Sequence, residues 1–226
     1  MPAKRHIAFI PARKGSKGFP GKNRLFFDQA ADFVQESGLF NEVIVSTDDE
    51  DVVTKAQKRK FKVHHRNEQL SGDKASIKQV LENVAKEMKL QPEDYVWLIY
   101  VCMPYRNRDD FRKAKILVEE QNIASLCSFI RAKSHPFSCW HFDAKKNVLK
   151  QYIGNDVYRR QDKPEAWEHY HYLSCTQVEA LKSINHELLF SKTYPIFLDE
   201  KTTQKLIEVD TQEDFDLWRR QSKAAV

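Results

Sequence analysis

Apolar residues arrive in short runs, and between the runs the spacing switches to that of helices. Ile7 to Ile10 is uninterrupted and reads as a buried strand. From Phe26 to Ser37 the apolar positions are 26, 27, 30, 33 and 34, one face of a helix, and Gly38 supplies the stop. Val43 to Val45 is a second buried run, followed by Ser46-Thr47-Asp48-Asp49, side chains that cap a helix reaching about Lys60. Val63 to His65 is a short strand, and Ser76 to Met88 is helical. Tyr95 to Val101 is nearly all apolar, as a central parallel strand requires. A helix over Arg108 to Gln121 and a strand over Ile123 to Ile130 follow. Two further strands, Tyr194 to Leu198 and Leu206 to Val209, precede a last helix, Thr211 to Arg220, with Thr211 as its cap. Such alternation predicts an α/β fold, a doubly wound and mostly parallel sheet.

Between Arg131 and Glu168 the alternation stops. Trp140, Phe142, Tyr152, Tyr158 and Trp167 are scattered among polar residues over a stretch too long for an ordinary loop. It reads as an antiparallel arm or a lid, inserted over 131–170 into one domain spanning 1–226.

Composition narrows the class. At 226 residues, 41% hydrophobic and 31% charged, the chain suits one large globular domain. No apolar stretch reaches the length of a membrane span, and the first residues carry no secretory apolar core; the expected location is the cytoplasm. Cys102, Cys127, Cys139 and Cys175 make no C-x-x-C pair and read as reduced, mostly buried thiols. The net charge of +5 raises a nucleic-acid surface, but the densest cation group lies in a glycine loop, which favours a small anionic substrate over nucleic acid or a membrane.

That loop is Arg13 to Asn23. Gly15, Gly18 and Gly21 alternate with Arg13, Lys14, Lys17 and Lys22, directly after the first strand. Glycine lets the backbone approach a ligand, successive N–H groups form an anion-binding concavity, and the cations add full charge. The spacing G-x-x-G-x-x-G is not the dinucleotide fingerprint. Ser16 and Asn23 stand where a Walker A loop needs glycine and a hydroxyl. The chemistry predicted is polyphosphate binding. Glu208 and Asp210 form a second candidate: two carboxylates at i and i+2 share one side of a strand and can hold Mg²⁺. Helix capping is the alternative for Asp210, as it is for Asp48 and Ser76.

Pro11, Ala12, Arg13, Gly15, Ser16, Lys17, Gly18, Lys22 and Asn23 fit the pattern I-P-A-R-x-G-S-K-G-(I/L)-x-x-K-N. The chain thereby resembles the acylneuraminate cytidylyltransferases, or CMP-sialic acid synthetases. The likeness extends to V-I-V-S-T-D-D at 43–49, to Arg66, Leu70, Asp73, Ala75 and Ser76 of a second motif (Asn67 replaces its usual proline), and to Glu208-Val209-Asp210, where the family has D-(I/V)-D. The resemblance implies a nucleotidyltransferase-like fold and a homodimer joined through the arm. It implies that the loop, with Ala12, Arg13, Gly15, Ser16 and Lys17, cradles the CTP triphosphate. Arg13, Lys17 and Lys22 would neutralise the leaving pyrophosphate, Asn23 would lie near the ribose and base, and Arg66 and Ser76 would serve the nucleotide pocket. Glu208 and Asp210 would be the Mg²⁺ ligands.

The departures fall elsewhere. Where the family has L-L-Q-P-T-S-P-(L/F)-R, this chain has Leu98 to Arg106. Tyr100 replaces the glutamine that faces the sugar, Cys102-Met103 replace the Thr-Ser pair, and Pro104 and Arg106 are retained. His135-Pro136-Phe137-Ser138 lacks the lysine of H-P-x-K, and Leu173-Ser174-Cys175 stands for N-G-(A/S). The nucleotide half is kept, and the acceptor half, with Tyr100 and Arg106 as its candidate contacts, is rewritten. The reading is a CTP-dependent cytidylyltransferase acting on a sialic or related nonulosonic acid. Its alternatives are a different acid acceptor and an inactive nucleotide-binding homologue.

Overall fold

The computed structural model describes residues 4–224. Nine strands and seven α-helices follow one another along them. The strands are β1 (His6–Pro11), β2 (Glu42–Thr47), β3 (Lys62–His65), β4 (Tyr95–Leu98), β5 (Ser125–Arg131), β6 (Trp140–Asp143), β7 (Val148–Gln151), β8 (Trp167–Gln177) and β9 (Tyr194–Phe197). The helices are α1 (Lys22–Ser37), α2 (Glu50–Lys58), α3 (Glu68–Ser71), α4 (Ile77–Glu87), α5 (Arg108–Glu120), α6 (Glu200–Thr203) and α7 (Gln212–Ala224). Seven strands make one sheet in the order β3-β2-β1-β4-β8-β5-β9. Pairing is parallel throughout except at β8, which runs antiparallel to both β4 and β5. The doubly wound, mostly parallel sheet expected from the alternation is therefore present.

Helices cover both faces. On one side Ala8, Ile10, Val45 and Trp97 pack with Phe26, Phe27, Ala30 and Phe111 of α1 and α5. On the other, Ile7, Phe9, Ile44 and Leu98 pack with Val80, Leu81 and Val84 of α4. The first strand alternates between these two clusters, so all four residues of Ile7–Ile10 are buried. All four cysteines are free thiols, and only Cys139 is not buried. Among the described residues no helix is long and apolar enough to cross a membrane.

Three sequence expectations are corrected. The central strand ends at Leu98, not Val101: Ile99 still donates to Phe9 O, but Met103 N bonds back to Tyr100 O and closes a turn. Leu206–Val209 is not a strand. It crosses the carboxyl end of β4, whose two edges β1 and β8 already fill, and is tied to that end by Val209 N donating to Cys102 O at 2.8 Å. Finally, Trp167 to Tyr170, expected as the end of the inserted arm, begin the long strand β8, which runs on to Gln177. The excursion itself covers 132–166. Its base is closed by Ala132 N on Ala166 O, and it contains the antiparallel pair β6–β7.

Candidate functional site

The glycine loop leaves the carboxyl end of β1 and is fastened to the end of its neighbour, β2. Ala12 N donates to Ser46 O (2.9 Å), Thr47 Oγ1 donates to Ala12 O (2.6 Å), and Lys14 N donates to Asp48 Oδ1 (2.6 Å). From the far side, Asn23 Nδ2 donates to Arg13 O at 2.7 Å. Asp48 thus secures the loop, while the cap of α2 is Asp49, which accepts from Asp51 N. Two glycines meet the loop's backbone demands. Gly21 takes φ 77° where the loop turns into α1. At Gly18 a methyl group would overlap the backbone carbonyl of Asp210, so the loop and the 206–210 segment touch through bare backbone.

Three of the four loop cations, Arg13, Lys17 and Lys22, share two acidic partners. Arg13 Nη1 donates to Asp73 Oδ1 (3.0 Å) and Ser71 O (3.1 Å); Lys17 pairs with the same Asp73 carboxylate. These two contacts hold Asp73 below the usual carboxylate range. Lys22, the first residue of α1, pairs with Asp210. Arg66 stands just past β3, its Nε donating to Ser46 Oγ at 2.9 Å. Burial pushes its guanidinium down to about 10, and Arg13 adds to that against the pull of Asp48. It remains a cation at neutral pH.

All of this surrounds a cavity of about 540 Å³ at the carboxyl ends of β1, β2 and β4, where open α/β sheets place their ligands. Arg13, Ser16, Lys17, Gly18, Lys22, Asn23 and Arg66 line one side; Ala75, Ile77 and Val80 form an apolar floor; Tyr100, Val101, Cys102, Asp210 and Thr211 close the rest. Ala12 is buried under the loop, and Gly15 sits on its outer turn at φ 79°; neither lines the cavity. Ser76 is turned to α4, where it forms a capping box with Gln79 and meets His186 Nδ1 at 3.0 Å.

Glu208 and Asp210 converge as expected, though from an irregular segment rather than a strand. With Cys102 they offer donor atoms all within 4.8 Å of one another. Cys102 Sγ lies 3.6 Å from Glu208 Oε1, and burial, with Glu208 beside it, pushes that thiol up to about 12. His171 Nδ1 approaches the same carboxylate at 3.4 Å and is the main reason Glu208 sits below its ordinary value. Asp210 does not cap α7: Thr211 does, accepting from Asp214 N while Asp214 accepts from Thr211 N. Tyr100 reaches the cavity with its ring 4.9 Å from that of His171, and burial raises its hydroxyl. Arg106 does not line the cavity. Its guanidinium donates to Tyr100 O and lies over the Phe33 ring. Asp73, His171 and Cys102 were given no role from sequence. Asp73 was at least visible as a matched motif position; His171 lies on a strand the sequence pattern hid.

Residues 7–223 match the family described as Cytidylyltransferase. The chain belongs to that family. A pseudaminic acid cytidylyltransferase of Campylobacter jejuni is 33% identical over 119 residues, 49% of this chain and 51% of that protein. An N-acylneuraminate cytidylyltransferase of Streptococcus agalactiae is 27% identical over 219 residues, 92% of this chain and 51% of that one. The chain thus spans about half the length of these relatives. In fold it is similar to a CMP:2-keto-3-deoxy-manno-octonic acid synthetase solved with CTP (TM-score 0.67, 14% identity, 99% and 100% of the two chains). It is also similar to the 2-C-methyl-D-erythritol 4-phosphate cytidylyltransferase of Francisella tularensis (TM-score 0.64, 14% identity, 96% and 100%). As a cytidylyltransferase-family chain it carries its glycine loop, Arg66 and the Glu208–Asp210 pair wholly inside the matched span.

Proposed function

We propose that this chain transfers a cytidylyl group from CTP to an acidic sugar, a sialic or related nonulosonic acid. An oxygen of the acceptor attacks the α-phosphorus, the bond to the β-phosphate bridging oxygen breaks, and pyrophosphate leaves with the CMP conjugate as product. The observation that carries this reading is the convergence of Arg13, Lys17, Lys22 and Arg66 on one cavity that Asp210, paired with Lys22, also lines. Three loop cations suit the charge of a departing pyrophosphate, and such catalysis is positioning plus charge neutralisation. The N-acylneuraminate and pseudaminic acid enzymes among the relatives support the acceptor class.

The carboxylates of Glu208 and Asp210 fit Mg²⁺, a hard cation that takes oxygen donors; the Cys102 thiol beside them does not add to that fit. When bound there, the ion would neutralise phosphate charge. Tyr100 would contact the acceptor, and Arg106 would steady the Tyr100 turn from behind. We further propose a homodimer formed through the 132–166 arm, where Trp140, Phe142, Leu149, Tyr152 and Tyr158 are all exposed. Four free thiols suit a reducing compartment, in keeping with the cytoplasm.

The test is pyrophosphate release from CTP and Mg²⁺ across a panel of nonulosonic acids and other sugar acids. Turnover with at least one nonulosonic acid is expected, lost by a factor of about 100 in Arg13→Ala. Tight CTP binding with no turnover on any acceptor would instead identify an inactive nucleotide-binding homologue, and turnover restricted to another acid would move the acceptor class.

A further inference from the structure

Behind Arg66 runs a buried line of hydrogen bonds that the reaction above does not use. Ser46 and His64 are register partners across the parallel β2–β3 pair, and both are buried. Ser46 Oγ lies 2.9 Å from His64 Nδ1, and His64 Nε2 lies 2.6 Å from Asn83 Oδ1 and 3.5 Å from Glu87 Oε2, both on α4. Arg66 Nε donates into the same Ser46 oxygen at 2.9 Å.

The chemistry of these groups sets the direction of the line. A guanidinium has donors only, so Ser46 Oγ must accept from Arg66. Its one proton is then free to go elsewhere, and His64 Nδ1 is the partner in reach. Nδ1 must therefore carry the lone pair, which leaves the ring proton on Nε2, facing the Asn83 carbonyl oxygen. With the opposite tautomer, two donors would point at Ser46 Oγ and its proton would have no acceptor in a buried place, at a cost of about 1–3 kcal/mol.

We propose that His64 is a positioning residue for Arg66: held by Asn83 as the Nε2–H tautomer, it orients the Ser46 hydroxyl so that its oxygen receives the guanidinium at the wall of the cavity. This rests on the reading of Arg66 as a nucleotide contact. It also gives a reason for serine at the head of the Ser-Thr-Asp segment: Thr47 and Asp48 fasten the loop, while Ser46 serves Arg66.

Two measurements on the full chain test it. Nitrogen-15 NMR of the imidazoles at neutral pH should show His64 as a neutral Nε2–H ring; an Nδ1–H or doubly protonated ring overturns the proposal. Calorimetric CTP binding should weaken about tenfold in His64→Ala, the loss of one hydrogen bond to a charged group. The double variant with Arg66→Ala should bind no more weakly than Arg66→Ala alone. His64→Asn keeps an acceptor near the Nδ1 position and should recover most of the affinity; it also guards against a His64→Ala chain that does not fold. Additive losses, or His64→Asn as weak as His64→Ala, overturn the positioning role. Failure of the nucleotide reading looks different: the wild-type chain would then bind no CTP at all while its His64 ring kept the Nε2–H form, and Arg66 would have no nucleotide to be positioned for.

Discussion

The two halves of the cavity are held together by different means. On the side proposed for the nucleotide, backbone and short polar side chains do the work: Ala12, Thr47, Asp48 and Asn23 fix the loop with bonds of 2.6–2.9 Å, and Gly18 meets Asp210 through backbone alone. On the side proposed for the acceptor the wall is side chains in low-dielectric packing: Tyr100 on His171, Cys102 on Glu208, Arg106 behind Tyr100. Buried polar atoms without hydrogen-bond partners occur on both sides: Arg106 Nη1 and His169 Nε2 on this one, Ser71 Oγ beside Arg13 on the other. A phosphate chain presents the same oxygens in every substrate, so a backbone cradle can meet it with little latitude for change. An acceptor differs from case to case, and a wall of packed side chains can be exchanged residue by residue.

The sharpest way to break this contrast is Gly18→Ala. One methyl group would force the loop off Asp210, moving Lys17 and Lys22 with it. Displacements of that order cost about hundredfold in turnover, with about 1–3 kcal/mol of stability lost to overpacking. Pyrophosphate release and thermal melting would register both. A Gly18→Ala chain with unchanged kinetics would mean that the loop is not a rigid backbone cradle.

The same contrast explains what the sequence disclosed. The loop was legible because its constraints are local: glycine where φ is positive or backbone touches backbone, cations at fixed offsets, a strand immediately before. Ser46 to Asp48 could be singled out, but not assigned one by one, because whether Asp48 or Asp49 caps α2 depends on where Lys14 N lies. Ser76 matched a motif and yet spends its hydroxyl on the α4 cap. Strand β8 was hidden because Trp167 to Tyr172 mixes aromatic, histidine and acidic residues with no apolar run, and supplies both a sheet strand and the root of the arm; only pairing with β5 and β4 separates those roles. His171 and Arg106 could not be placed from spacing at all, since their partners are 37 and 6 residues away on turns and segments without periodicity.

A smaller effect would sharpen the nucleotide side. Asp73 holds both Arg13 and Lys17 while its own carboxylate is half exposed. Phosphate oxygens would compete with it for the same cations. Exposed ion pairs are weak, so Asp73→Asn should tighten CTP binding by up to about fivefold and steepen its salt dependence, since the site gains net positive charge toward the anionic nucleotide. If instead Asp73 keeps Arg13 aimed at the ligand, binding weakens; calorimetry at two ionic strengths tells the two apart.

The smallest effect belongs to the acceptor side and concerns pH. Burial, reinforced by the neighbouring His171, lowers His169 to about 4 from its ordinary 6.5. A histidine lowered in the folded state binds its proton more readily once unfolded. Acid therefore favours unfolding: the contribution of the neutral ring is complete above about pH 6.5 and is lost as pH falls toward 4. His169→Gln removes this titration without charging the site. Its melting temperature should fall less than that of the parent between pH 7 and pH 4.5, by about 3 °C for a chain of this size, and CTP affinity at pH 7 should not change. An equal loss of stability in both chains would show that acid acts elsewhere. Buried His6, on β1 and also lowered to about 4, would then be the group to replace, and the pH-sensitive element would lie beneath the nucleotide half instead.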